Sequence, residues 1–115
     1  MRGDIGLARF PHTAGARGKK RPVVVVQADA YNQQLRHVIV AEVTKNLGMK
    51  IDPACLFIDL STSEGQATGL LNDSVVNCLL LASINADRID PVIGKLSPVL
   101  LQKLNSCLKT ALELP

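Results

Sequence analysis

The segment of residues 18–27 constrains the fold of this chain more than any other part of the sequence. It reads Gly-Lys-Lys-Arg-Pro-Val-Val-Val-Val-Gln, so that three consecutive cations lead through Pro22 into four valines. The valines predict a buried strand, and Pro22 belongs near its start or on a sheet edge because proline donates no ladder hydrogen bond. Since side chains alternate along a strand, Arg21 shares a face with Val23 and Val25. The three cations also fit a solvated loop that keeps a sheet edge from aggregating.

The composition predicts one globular domain over residues 1–115, with a core built from aliphatic side chains. Hydrophobic residues make up 47% of the chain, whereas its only aromatic residues are Phe10, Tyr31 and Phe57. With so few rings, base stacking is a weak candidate for the main mode of nucleic-acid binding. The formal net charge of +3 suits an anionic partner without requiring one.

The sequence carries no signal for export or membrane insertion. No apolar run reaches the length of a membrane span, and the first residues, Met-Arg-Gly-Asp, lack the apolar centre of a signal peptide. Cys55, Cys78 and Cys107 are odd in number and lack the spacing of metal ligands. They therefore predict reduced, buried thiols in a cytoplasmic protein with no membrane partner.

Hydrophobic patterning predicts many short strands followed by one closing helix. The strands are expected at residues 4–9, 21–27, 37–44, 55–60, 73–82 and 91–96. A long loop over residues 12–20, a helical turn within 28–35 and polar turns at 61–69 and 85–90 connect them. The helix begins at the cap residue Ser97, with Pro98 at its first position, and ends near Leu114. Such an order favours a mainly β fold with a small, strongly curved sheet or barrel.

Several short motifs occur in one order along nearly the whole chain. They are Arg2-Gly3-Asp4-Ile5, Gly18-Lys19-Lys20-Arg21-Pro22-Val23, a strand ending in Gln27 with Asn32 soon after, Val38-Ile39-Val40-Ala41-Glu42-Val43-Thr44, Asp73-Ser74-Val75-Val76 and Gly94-Lys95-Leu96-Ser97. In this order and spacing the sequence resembles the MazF/PemK toxins, the ribosome-independent mRNA interferases of toxin–antitoxin pairs.

The resemblance implies a small SH3-like barrel with a C-terminal helix, the CcdB/PemK-like toxin fold, working as a homodimer. It implies sequence-selective cleavage of single-stranded RNA, and inhibition by a cognate antitoxin protein that occupies the RNA groove. The family's catalytic arginine, just before the proline of the second strand, falls on Arg21. Its catalytic threonine or serine, at the end of the third strand, falls on Thr44.

These two side chains suit RNA cleavage without metal or cofactor, in which the 2′-hydroxyl of the RNA attacks the adjacent phosphate. A planar guanidinium can hold two phosphate oxygens at once, so Arg21 is assigned the phosphate clamp and a role as acid is left open. The Thr44 hydroxyl can donate to a phosphate oxygen, although an ordinary strand threonine is the alternative. Arginine is a poor base, because at pH 7 only about one guanidinium in a million is neutral.

The general base is therefore left open between two candidates. Glu42 lies two residues before Thr44 and projects from the same strand face, roughly 7 Å away. His12 lies in the long loop and could transfer a proton. Each also has a plain interpretation as a solvated side chain. The candidate RNA contacts are the loop cations and one residue that follows the Ser-Val-Val motif: Arg17, Lys19, Lys20 and Asn77.

The chain departs from the family pattern in two places. Where many members carry Asp-Gln and then an arginine in the fifth strand, this chain has Leu79, Leu80 and Ala82, and Gly6 replaces a tryptophan common in the first strand. The run Leu79-Leu80-Leu81 is apolar on both strand faces and predicts a surface covered by a second copy.

These departures keep two further functions open. One is an antitoxin- and RNA-binding protein with weakened catalysis, which the leucines favour and the presence of Arg21 and Thr44 opposes. The other is a gyrase poison, since CcdB toxins share the barrel, but no residue of the sequence supports a gyrase contact.

Overall fold

The computed structural model describes residues 1–10 and 19–115. Within these residues, six antiparallel strands form one sheet with the order β4-β5-β3-β2-β1-β6. The strands are β1 (Asp4–Ala8), β2 (Arg21–Val25), β3 (His37–Thr44), β4 (Cys55–Ile58), β5 (Ser74–Asn85) and β6 (Val92–Lys95). The helices are α1 (Asp29–Asn32), α2 (Ser63–Gln66) and α3 (Pro98–Leu112). The prediction of a mainly β fold with a curved sheet and a C-terminal helix is confirmed.

Most of the predicted elements lie where the sequence pattern placed them. The bounds of β3 agree with the prediction, and β1, β2, β4 and β6 are shorter by one or two residues at an end. Two features differ. The turn predicted over residues 61–69 contains the short helix α2, and β5 continues to Asn85 before a short 3₁₀ turn at Ala86–Arg88.

A bulge in β5 explains why its pattern did not follow strict alternation. Ala41 of β3 pairs with Leu81, but the next residue, Glu42, pairs with Asn77, so residues 78–80 have no partner in β3. The side chain of Asn77 holds this bulge, because its Oδ1 accepts a hydrogen bond from the backbone N–H of Leu79 at 2.9 Å. Extra residues of this kind bend a strand and increase its twist.

The four valines of the opening segment supply both faces of the sheet. Val24 belongs to the main core between the sheet and α3, together with Leu104, which is fully buried. Val23 and Val25 point to the opposite face, where a second apolar cluster includes Phe10. Alternation along β2 thus places one strand in two cores, as its unbroken run of valines predicts.

The run Leu79-Leu80-Leu81 is partly covered within the chain itself. Leu81 is half-buried against the main core, and Leu80 is half-buried against the second cluster. Leu79 alone of the three is exposed, at 53%. The prediction that a second copy covers this strand therefore stays a prediction, and Leu79 is the side chain that such a copy would cover most.

The first motif of the family resemblance connects the N-terminus to β2 and α3 through hydrogen bonds of Arg2. Arg2 donates from Nε to the carbonyl oxygen of Val26 at 2.9 Å and from a terminal guanidinium nitrogen to Oδ1 of Asn105 at 2.7 Å. Its backbone N–H donates to Asp29 at 2.6 Å, and this bond and one from Asn32 lower the pKa of that carboxyl. The motif beginning at Arg2 is thus a structural junction between the N-terminus, the end of β2 and α3.

The structure also explains why position 6 is a glycine. A Cβ atom at this position would collide with the side chain of Ile89 and come close to the carbonyl oxygen of Pro91. The tryptophan common at this position in the family therefore has no room in this chain.

The cap of α3 follows the sequence prediction. The Oγ atom of Ser97 accepts a hydrogen bond from the N–H of Leu100 at 3.2 Å, and Pro98 occupies the first turn. The helix ends at Leu112, after which Glu113 adopts a left-handed conformation with φ of 55°. Within the described ranges, no helix is long and apolar enough to cross a membrane.

The three cysteines meet between α3 and the β4–β5 pair. Each is a free, buried thiol, which confirms the prediction of buried thiols. Burial raises the pKa of Cys78 to about 12 and also raises the pKa values of Cys55 and Cys107. Their sequence separation did not reveal this grouping.

Candidate active site

A cavity of about 560 Å³ lies where β2 begins and β3 ends. Four cations and three neutral polar side chains line it: Lys19, Lys20, Arg21, Lys45, Thr44, Asn72 and Ser74. Gly69 and six apolar residues complete the lining: Leu7, Pro22, Val43, Leu70, Leu71 and Ile93. The cavity therefore combines a cationic rim without carboxylates and an apolar floor, which suits an anionic ligand that also carries apolar surface.

Arg21 and Thr44 come together at this cavity through strand pairing. In the β2–β3 ladder Val23 pairs with Glu42 and Val25 pairs with Val40. Continued by two residues toward the cavity, the same register sets Arg21 opposite Thr44. Residues directly opposite on neighbouring strands project from the same face with Cβ atoms about 5 Å apart. The two residues that the family resemblance singled out thus flank one small volume.

Thr44 is held so that its hydroxyl can donate. Its Oγ1 atom accepts a hydrogen bond from the backbone N–H of Asn46 at 3.1 Å. A hydroxyl has one hydrogen and two acceptor lone pairs, so this bond leaves the hydrogen available. The turn that follows is closed by Asn46, whose Oδ1 accepts from the N–H of Gly48 at 3.0 Å. The end of β3 therefore orients Thr44 as a donor at the rim.

The side chain of Arg21 is exposed and has no hydrogen-bond or ion-pair partner among residues 1–10 and 19–115. Its guanidinium is free to bind an anion from solution. Lys19, Lys20 and Lys45 are likewise exposed at the same cavity. Lys20 is the most ordered of them, since its Nζ donates to the carbonyl oxygen of Asp90 at 2.6 Å. The rim therefore offers one planar guanidinium and three ammonium groups to a phosphate.

Glu42 is half-buried on the strand face that carries Thr44, two residues nearer the middle of β3. It lies between Val23 of β2 and Asn77 of β5. It does not line the cavity. The structure thus places this candidate base next to Thr44 along β3 and outside the cavity lining.

Asn77, the RNA contact predicted from the fifth strand, lies opposite Glu42 in the β3–β5 ladder. Its Oδ1 accepts from the N–H of Leu79 and also from the thiol of Cys55 at 3.6 Å, and the residue does not line the cavity. The oxygen thus holds the bulge of β5. The bulge presents Leu79 at the surface, where a carboxylate would be expected from the family pattern.

His12 and Arg17 lie outside the described residues, so the structure bears on neither prediction. Among the residues that are described, no group of three or more histidine, cysteine or acidic side chains is arranged to hold a metal ion.

Sequence reasoning missed three polar residues of the lining. Lys45 follows Thr44 directly, and its charge beside a candidate catalytic residue was a usable signal. Asn72 precedes β5 and Ser74 is its first residue, and no local pattern connects this part of the chain to Arg21. Leu71, which is 92% exposed at the same cavity, was also unpredicted.

Comparison with known proteins identifies the family of this chain and agrees with its fold. Residues 1–112 match the family model described as PemK-like, MazF-like toxin of type II toxin–antitoxin system. The chain is 30% identical over 112 residues to endoribonuclease MazF6 of Mycobacterium tuberculosis, a match that covers 96% of this chain and 90% of the relative.

Solved structures share the fold at lower identity. An endoribonuclease in complex with its cognate antitoxin, from a mycobacterial species, aligns with a TM-score of 0.80 at 21% identity, covering 100% of this chain and 96% of the other. The Mycobacterium tuberculosis toxin MazF-mt6 aligns with a TM-score of 0.78 at 22% identity, covering 97% and 98% of the two chains. Both the family match and the relative span nearly the whole sequence, and we conclude that this chain belongs to the PemK-like, MazF-like toxin family of type II toxin–antitoxin systems.

Proposed function

We propose that this chain is a sequence-selective endoribonuclease that cleaves single-stranded mRNA without metal or cofactor. In this reaction the 2′-hydroxyl of the RNA attacks the adjacent phosphate. The observation that carries the proposal is that Arg21 and Thr44 line the same cavity together with three lysines. Family membership and a relative named as an endoribonuclease support the same reaction class.

The chemistry requires three tasks at one phosphate. The 2′-oxygen forms a bond to phosphorus and loses its proton to a base, while the bond from phosphorus to the 5′-oxygen breaks and that oxygen takes up a proton. The phosphate meanwhile gains negative charge. Arg21 can bind two phosphate oxygens at once, and the Thr44 hydroxyl can also donate a hydrogen bond to a phosphate oxygen. One such preorganised donor is worth about a hundred- to a thousand-fold in rate.

The acid and the base are assigned separately. Arg21 is a donor near the leaving oxygen and is our candidate for the acid. Glu42 is our candidate for the base, because a carboxylate can accept the 2′-hydroxyl proton and Glu42 lies two residues before Thr44 on the same strand face. Lys19 and Lys20 contribute salt-dependent affinity for the RNA backbone and no sequence reading.

The proposal includes two protein partners and the cellular compartment. We propose that the chain forms a homodimer and is neutralised by a cognate antitoxin that covers the cationic cavity. The solved relative bound to its cognate antitoxin supports the second partner. Because its target is mRNA, we place its activity in the cytoplasm. Light scattering should give about twice the chain mass of 12.3 kDa, and a concentration-independent monomer would contradict the homodimer.

The decisive experiment is cleavage of a long single-stranded RNA by purified protein with EDTA present and ribosomes absent. We expect discrete products whose ends map to one short motif. An oligonucleotide containing that motif should resist cleavage when the nucleotide at the cut carries a 2′-deoxy substitution. Cleavage of the deoxy substrate at the normal rate would contradict the 2′-hydroxyl mechanism, and loss of cleavage in EDTA would contradict metal independence.

One observation favours a second function. Leu79 stands exposed on the β5 bulge where family members often carry an aspartate to which a catalytic or RNA-contacting role is assigned. The alternative is therefore an antitoxin- and RNA-binding protein with weakened catalysis. The same experiment separates the two functions, because that protein would bind the RNA and leave it intact.

A further inference from the structure

A second cavity, of about 350 Å³, adjoins the candidate active site and contains cations that have no role in the proposed reaction. Its lining residues are Arg9, Lys20, Asp87, Arg88 and Asp90. Lys20 also lines the first cavity, so the two cavities share one rim. The hydrogen bond from Lys20 Nζ to the carbonyl oxygen of Asp90 spans this rim and fixes its position.

The backbone places these residues in one line across the end of the sheet. In the β1–β2 ladder Ala8 pairs with Arg21, and one further step sets Arg9 opposite Lys20. On the other side of β1, the N–H of Asp90 donates to the carbonyl oxygen of Leu7 at 2.9 Å. The ends of β3, β2 and β1 and the segment of residues 88–91 therefore lie side by side. Neighbouring strands are about 4.8 Å apart, so these four segments extend over roughly 14 Å.

Two arginines on this line have unpaired side chains in the described part of the chain. The guanidinium groups of Arg9 and Arg88 are exposed, and neither forms a hydrogen bond or an ion pair within residues 1–10 and 19–115, although Asp87 and Asp90 line the same cavity. Among the described residues, six cations and two carboxylates line the two cavities together. The local excess of four positive charges is larger than the net charge of +3 of the whole chain.

We propose that Arg9 and Arg88 form a second phosphate subsite, which binds the RNA backbone beyond the scissile phosphate held by Arg21 and Thr44. This inference rests on the proposed function, because it names a further contact with the same substrate. Two guanidinium groups beside one ammonium group match consecutive phosphates of a single strand. Such contacts position the substrate and add affinity without reading bases.

The salt dependence of RNA binding tests the subsite. The variants are Arg9→Ala and Arg88→Ala, with Arg36→Ala as the matched control, because Arg36 is exposed just before β3 at the end away from Thr44. The probe is a fluorescein-labelled, unstructured single-stranded RNA with 2′-O-methyl groups throughout, which cannot be cut. Each subsite variant should lower the slope of log affinity against log salt concentration by about 0.7, the value for one lost phosphate contact on a single strand.

Cleavage provides the second measurement. At saturating RNA, both subsite variants should cut at the wild-type rate. An RNA truncated to the mapped cleavage motif does not reach the subsite, so the wild type and both variants should cut it equally well at any RNA concentration. Thermal unfolding at the wild-type temperature would show that the fold is intact. A reduced rate at saturating RNA would place Arg9 or Arg88 in the reaction centre and overturn a remote subsite.

Four further outcomes would overturn the proposed subsite. Unchanged salt slopes in a wild-type protein that binds or cuts RNA would overturn the subsite and leave the proposed function standing. If those variants instead lost affinity for the cognate antitoxin, the patch would be a protein-docking surface. An equal loss of slope in the Arg36 variant would reduce the effect to overall charge. A wild-type protein that neither binds nor cuts RNA would overturn both proposals.

Discussion

Glu42 in β3 lies directly opposite Asn77 in β5, at the pair where the register between the two strands shifts. Glu42 therefore lies next to the β5 bulge and on the strand face that carries Thr44. Its neighbour on the other side, in β2, is Val23. This position links the candidate base to the segment in which the chain departs most from its family. Leu79 on the bulge supplies no carboxylate, and Glu42 is the acidic residue that β3 itself carries beside Thr44.

Replacing Glu42 by glutamine tests this role. The amide keeps the shape of the side chain and removes the base, so turnover should fall by about a hundred-fold or more while RNA affinity is retained. Single-turnover cleavage at saturating RNA measures the effect, with Glu113→Gln as a control at the exposed end of the chain. Wild-type rates for the Glu42 variant would show that the proton is taken by another group.

Arg21 should be indispensable for cleavage and dispensable for the fold. It is exposed and has no partner in the described part of the chain, so Arg21→Ala should keep the wild-type unfolding temperature while cleavage falls by at least about a hundred-fold. Arg21→Lys keeps the charge but loses the planar fork, and it should recover RNA affinity more than rate. Full cleavage by the alanine variant would remove Arg21 from the mechanism.

Two substitutions at Thr44 separate its hydroxyl from its packing. Thr44→Ser retains the hydroxyl and should cleave near the wild-type rate. Thr44→Val has nearly the same shape but removes the donor, and the N–H of Asn46 also loses its acceptor. We expect a rate loss of about a hundred-fold and a loss of about 1 kcal/mol in the free energy of unfolding. Equal cleavage by the serine and valine variants would contradict the donor role.

The buried thiols predict lower stability at alkaline pH. The pKa of Cys78 is about 12 in the folded protein, above its ordinary value of 9.0. As pH rises past 9.0, the unfolded chain releases this proton while the folded chain keeps it, so the free energy of unfolding decreases until about pH 12. One such group contributes a slope of at most about 1.4 kcal/mol per pH unit.

Urea unfolding in the presence of a reductant, between about pH 8 and pH 10, measures this slope below the titration of most lysines. Cys78→Ala should lower stability at every pH through the cavity it creates, and it should make the slope shallower. Val76→Ala is the matched control, because Val76 is fully buried in the same core and carries no titratable group. The same slope in both variants would show that the Cys78 thiol is not responsible.

Local patterns in the sequence were sufficient for most elements of the fold. The β-branched run of β3 predicted its bounds, and Ser97 followed by Pro98 predicted the start of α3. Both signals depend on residues close together in the chain, since a cap bonds to a backbone group three residues away and strand alternation repeats every two residues. The resemblance to a known family identified Arg21 and Thr44, and the β2–β3 register explained why those two positions belong together.

The tertiary structure alone decided the β5 bulge, the composition of the cavity and the grouping of the thiols. Asn77 fixes the bulge through a bond within its own strand, but its position depends on where β3 and β4 hold β5. The cavity combines the start of β2, the end of β3 and the segment before β5, and the thiols come from two strands and a helix. These arrangements arise from strand order and register, which pair residues far apart in sequence. A local pattern specifies which face a side chain occupies, and only the paired strands determine what it meets there.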